Sequence, residues 1–128
     1  MRPALEPGDW LLARRLRRVP DRGAVIVFDA TAEPGLHLVK RVIGLPGEHV
    51  AVADGQVHID GLTLAEPWVS GHTFPETEVV VPEASVWVLG DNRSQSSSDS
   101  RTIGSVALDA VGWRVVAVYW PATRAGLR

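Results

Sequence analysis

The chain has no cysteine, so disulfides and thiolate chemistry are excluded, and its redox compartment cannot be read from it. It has one methionine, one tyrosine and one lysine among thirteen basic side chains. No apolar run approaches the ~20 residues of a membrane-spanning helix, and MRPALEPGDW at the start lacks the pattern of a secretory signal peptide. Excess charge of one sign is also absent. The net charge is −2 and the pI ≈ 6.0, which gives no reason to expect nucleic acid as a partner. What remains is 128 residues, 45% of them hydrophobic, enough for one domain with a sizeable core.

The hydrophobic residues fall in short β-branched runs, AVIVF, LHLVKRVI, HVAVA, QVHI, EVVV, SVWVL and WRVVAVYW. Turn signals such as Pro7-Gly8, Pro34-Gly35, Pro46-Gly47, Asp54-Gly55 and Asp60-Gly61 separate them. This spacing predicts an all-β fold, a barrel or sandwich of short antiparallel strands. The clearest hairpin joins His49–Ala53 to Gln56–Ile59 through Asp54-Gly55, a pair suited to the positive φ angles of a two-residue turn. WLLARRLRR, residues 10–18, reads equally as a helical turn or as a strand entering a basic loop. Residues 66–76 and 90–101 read as loops, and the tail from residue 122 to 128 as frayed. Trp87 and Trp113 are expected in the core; for Trp10 core is the preferred reading and an exposed, membrane-facing position the alternative.

The one lysine, Lys40, stands inside LHLVKRVI. On a strand it shares a face with Leu36, Leu38 and Val42. Arginine stays protonated in proteins and cannot act as a general base. A lysine can, where desolvation disfavours its ammonium form. A neutral lysine can take the proton of a serine hydroxyl or form a Schiff base with a carbonyl substrate; no glycine-rich phosphate loop accompanies it to favour the second. The plainer alternative is a snorkelling side chain with its amine in water. The four histidines, His37, His49, His58 and His72, are scattered without metal-ligand spacing, and no residue pattern calls for a metal or cofactor. The Arg14, Arg15, Arg17 and Arg18 cluster reads as a solvated loop or as a contact for anionic lipid.

Four segments, MRPALEPGDWLLARR, VKRVIGLPGE, VLGDNRSQSSSDSRTIG and VGWRVVAVYWP, in that order, resemble the boxes of the type I signal peptidases, the Ser–Lys serine peptidases. The resemblance runs over residues 1–121, read as one catalytic domain. The short length and the PGDW-LLARR opening resemble the small branch that contains the nickel-type superoxide dismutase maturation proteases. The resemblance implies Lys40 as general base, with Asp91, Asn92, Arg93, Asp99 and Arg101 supporting the site. A serine of the family's box hydrogen-bonds the lysine amine. Counting back from Asp99 gives Ser97, the preferred assignment, and counting forward from Arg93 gives Ser96, because SQSSS is one residue longer than the usual spacing. By composition alone the same box is a turn-rich loop with surface ion pairs.

The resemblance also implies a shallow pocket for small substrate side chains, lined by Met1, Leu5 and Val39 with Leu38 close by; all four read equally well as core. The partner it implies is the extended leader of a precursor protein, with a membrane surface as a second contact. The family's first box reads Ser-Met-x-Pro-Thr-Leu, with the serine as nucleophile. Here Met1-Arg2-Pro3-Ala4-Leu5 begins one residue after that serine, so a start upstream of Met1 is expected. Ser70, Ser85 and Ser105 lack any supporting pattern as substitutes. An upstream anchor would make the protein membrane-associated, and its absence cytoplasmic. The rival reading is a non-catalytic β domain, a pseudo-peptidase that binds extended peptides without cutting them.

Overall fold

The β-branched runs form strands wherever a turn residue lets the chain reverse. The computed structural model describes residues 1–30, 33–69 and 71–128. In chain order the strands are β1 (Trp10–Arg15), β2 (Val25–Asp29), β3 (His37–Gly44), β4 (His49–Ala53), β5 (Gln56–Ile59), β6 (Leu62–Thr63), β7 (Thr77–Val80), β8 (Ser85–Leu89), β9 (Val106–Ala107), β10 (Val111–Trp120) and β11 (Gly126–Leu127). A single helical turn, α1 (Ser100–Ile103), lies between β8 and β9. The fold is all-β, as its composition requires, and residues 10–18 resolve into a strand followed by a loop.

One sheet runs β1-β10-β2-β3-β8-β9, with β11 added to β10; the other runs β6-β5-β4-β7. The expected hairpin is present. Asp54 and Gly55 have φ of 54° and 75°, the two positive angles that match the twist of the flanking strands. Ile43, Val50, Val52, Val57, Val81, Trp87 and Leu89 fill the space where the two sheets meet. Gly44 makes that approach possible, because a Cβ there would lie 2.7 Å from a Val50 methyl and 3.1 Å from the Trp87 Cβ.

β3 sits inside the larger sheet, paired with β2 through Ile26↔Lys40 and with β8 through Arg41↔Leu89. That register matters for the site. It sets the residue after Lys40 opposite the last residue of β8, so the Gly90–Arg101 segment must emerge beside the lysine. The first residues of the chain pack against the same sheet, with Leu5 buried on Val25, Val115 and Val118, and Met1 and Val39 against them.

Three expectations need correction. Trp113 and Trp10 are 47% and 58% exposed rather than core; Trp10 meets the Tyr119 ring edge-on at 6.0 Å, and no core cluster among the described residues includes either, whereas Trp87 is buried as expected. The tail is not frayed. β11 pairs with β10, Arg124 binds Asp9 at 2.9 Å, and Arg128 Nε donates to the Ala4 carbonyl at 2.8 Å. No helix among the described residues is long and apolar enough to cross a membrane.

Candidate active site

Lys40 projects from β3 into a cleft of about 530 Å³ lined by Met1, Leu5, Val39, Asn92, Ser96 and Ser97, among others. Its Nζ donates to the Ser97 carbonyl at 2.9 Å and to Ser96 Oγ at 3.2 Å. Desolvation by burial pushes its pKa below the ordinary lysine value, with Asp99 opposing and Arg101 assisting the shift. Two bonds exhaust the two N–H groups of a neutral amine, so in that form its lone pair is left for a third direction. The snorkelling alternative does not fit an amine held by two acceptors.

The hydroxyl that binds the lysine is Ser96, not Ser97; Ser97 contributes its backbone carbonyl. The reason is local. The segment turns just after, where Ser98 adopts φ 55°, and the hydroxyl that meets the amine is the one reached by counting forward from Arg93. Ser96 Oγ donates to Asp99 Oδ2 at 2.9 Å, which turns its lone pairs toward the amine. A Cβ on Gly90 would overlap the Ser96 side chain and lie 3.7 Å from Lys40 Nζ, so the glycine clears the space the pair occupies.

Asp99 is the hub of this wall. It caps α1 through the Arg101 N–H, accepts from the Gly90 N–H at 3.2 Å and binds Arg101 Nη2 at 2.7 Å. Desolvation raises its pKa, but Arg101, Gly90 and Ser96 outweigh that and hold the carboxyl below its ordinary value. Arg101 also reaches the Phe74 and Arg93 carbonyls, at 2.7 and 3.1 Å. Far from being a surface ion pair, it ties the serine-rich segment down.

Asp91 and Arg93 act one layer further from the cleft. Asp91 is fully buried and takes both Arg41 Nε and Nη2, at 2.9 and 2.7 Å. Arg41 in turn lies 4.8 Å from the Trp68 ring centroid. Arg93 is buried on Glu66 at 2.5 Å, Thr73 Oγ1 at 2.6 Å and the Gly90 carbonyl at 2.8 Å. Arg41, Glu66, Thr73 and Trp68 were not singled out from the sequence. The KR pair itself carried a signal for Arg41, since strand alternation sends neighbours to opposite faces.

Of the residues expected to line a substrate pocket, Met1, Leu5 and Val39 do border the cleft. Leu38 does not; it packs toward Phe28 and Val42 and lines a separate cavity. Asn92 borders the cleft, and its carbonyl accepts from the Ser96 N–H at 2.7 Å. Among the alternative serines, Ser105 lines the other cavity, Ser85 pairs with Ala107 at the far end of β8, and Ser70 lies outside the described residues. His37 sits against Asp29 and His49 against Glu78, on different strands, and no cluster of three metal-ligating side chains occurs among the described residues. Met1 lines the same cleft as Lys40, which brings the first residue of the sequence beside the lysine.

Residues 1–120 match the family model described as signal peptidase, peptidase S26. A probable signal peptidase I-2 from Synechocystis sp. is 35% identical over 136 residues, spanning 99% of this chain and 62% of its own length. The signal peptidase I of Leptolyngbya laminosa is 39% identical over 137 residues, spanning 98% of this chain and 67% of its own. The crystal structure of a signal peptidase I from Enterococcus faecalis superposes with a TM-score of 0.65 at 33% identity, covering 73% of this chain and 94% of the other. This chain therefore spans about two thirds of the curated relatives it matches first.

Proposed function

The chain belongs to the signal peptidase family, peptidase S26, and from that premise we propose that it is the catalytic domain of a serine endopeptidase that removes leader peptides from precursor proteins, with Lys40 as its general base. One observation carries the reading: Lys40 Nζ, its charge disfavoured by burial, is oriented by Ser96 and by the Ser97 carbonyl in the cleft that Met1 borders. A domain that only binds peptides has no chemical use for such an amine.

The nucleophile is a serine immediately ahead of Met1 in the full protein. Its Oγ attacks the scissile carbonyl while neutral Lys40 takes the hydroxyl proton. The tetrahedral intermediate collapses with that proton passing to the departing amine, leaving an acyl ester on the serine and a neutral lysine. Water then attacks the ester, Lys40 again takes the proton, and the serine hydroxyl is regenerated. Asp91, Asn92, Arg93, Asp99 and Arg101 position the wall on which Ser96 stands. Met1, Leu5 and Val39 form the floor that accepts a small side chain before the cut, and the leader lies extended along the strand edge. Trp10, Leu12, Tyr119 and Trp120, exposed on β1 and the end of β10, suit contact with a membrane surface.

The test is a chain with its natural upstream residues, or with a serine joined directly to Met1, assayed on a leader peptide; the leader of a nickel superoxide dismutase precursor is one substrate to include. Cleavage is expected, with a loss of about 10²–10⁴ in rate for Lys40→Ala. Undiminished cleavage in Lys40→Ala would sink the dyad.

A further inference from the structure

A second cavity, of about 520 Å³, shares no lining residue with the Lys40 cleft. Five arginines border it, Arg14, Arg15, Arg17, Arg18 and Arg114, and one acid, Asp21. The β1–β10 register sets Arg14 directly opposite Arg114, an arrangement of like charges that destabilises a strand pair unless something compensates. Among the described residues none of the five has an ion-pair partner, and Arg114 Nε is buried without any hydrogen-bond partner. The contrast with the rest of the molecule is sharp: Arg22, Arg41, Arg93, Arg101 and Arg124 are each matched to a carboxylate. General basicity does not explain it either, since the chain carries a net charge of −2.

Several guanidinium groups without carboxylate partners around one cavity, among them Arg114 with a buried and unpartnered Nε, offer donors that tetrahedral oxyanions satisfy through paired N–H···O bonds. We propose that this cavity is a binding site for a phosphate-bearing anion, separate from the peptidase cleft and independent of the reading given to it. The volume exceeds that of a bare phosphate, so a phosphomonoester or phosphodiester with an attached group fits the space. Bound there, the anion would offset the Arg14–Arg114 repulsion.

The proposal is tested on the whole chain by titration calorimetry with inorganic phosphate and with glycerol 3-phosphate, against chloride at matched ionic strength. Co-sedimentation with phosphatidylglycerol vesicles, against phosphatidylcholine vesicles, supplies the second arm. Binding in solution assigns a soluble phosphate compound. Binding to phosphatidylglycerol vesicles alone assigns a lipid headgroup. In either case Arg114→Gln is expected to weaken binding about tenfold, the loss of one charge-assisted bond. Arg17→Gln combined with Arg18→Gln, in the exposed loop, gives the same readout if the strand substitution fails to fold. Absence of binding in both arms, or binding that neither variant weakens, overturns the site.

Discussion

At the scale of single residues, the protonation of Lys40 governs the chemistry. Burial depresses its pKa, Asp99 resists and Arg101 adds to the depression. A base acts only when unprotonated, so the rate should climb with pH through the folded-state value of Lys40, below the ordinary lysine range. Arg101→Gln removes a cation that lowers this pKa and leaves Asp99 less neutralised; both changes favour the ammonium. The ascending limb of kcat/KM against pH is therefore expected to move to higher pH in Arg101→Gln, and a limb that stays in place or moves down would contradict the assignment. Stability follows the same sign. The unfolded chain binds the lysine proton more readily than the folded one, so Lys40 costs stability below its folded-state pKa, and that cost fades as pH rises toward the ordinary lysine value. Asp99 works at the acid end, where its depressed pKa means a stabilising contribution that is lost as pH falls through its folded-state value.

At the scale of elements, β3 and the segment after β8 are locked by a buried ion pair. Asp91 has no exposure, and its two oxygens meet two nitrogens of Arg41. Removing one member strands the other, so Asp91→Ala should lower unfolding stability by about 3–5 kcal/mol, measured by urea denaturation. A change under about 1 kcal/mol would show that the pair is not the lock. Elements were also where the sequence was most legible. The Asp54-Gly55 hairpin could be read because its turn chemistry is local, and the strand around Lys40 because its apolar spacing is. Ser96 was less accessible, because counting from either end of the serine run gives a different residue, and which hydroxyl meets the amine is decided by how the run folds, with Ser98 at φ 55°. The exposure of Trp10 and Trp113 was hidden for a different reason. An apolar residue on a strand reports a face, and the face is buried only if another layer covers it. The partners of Arg93, Glu66 and Thr73, lie 27 and 20 residues away, beyond any local pattern.

At the scale of the whole molecule, the two ends of the chain meet beside the site. Arg128 donates to the Ala4 carbonyl, and Arg124 to the Pro3 and Ala4 carbonyls and to Asp9. The C-terminal residues thus hold the strand of chain that carries Met1 into the cleft. Deleting residues 122–128 from a chain bearing the upstream serine should lower kcat by up to about 10²-fold through misplacement of that segment, while thermal unfolding stays a single cooperative transition. Unchanged kcat would mean that the clamp does not position the nucleophile.

The account rests on an amine that loses its proton more easily than a free lysine does. Because Lys40 is the one lysine in the chain, selective ¹³C labelling of lysine gives a single Cε signal, whose shift against pH reports that proton alone. The account predicts a midpoint clearly below the ~10.4 of an unperturbed lysine, shifting upward in Arg101→Gln; a midpoint at or above the unperturbed value would contradict it.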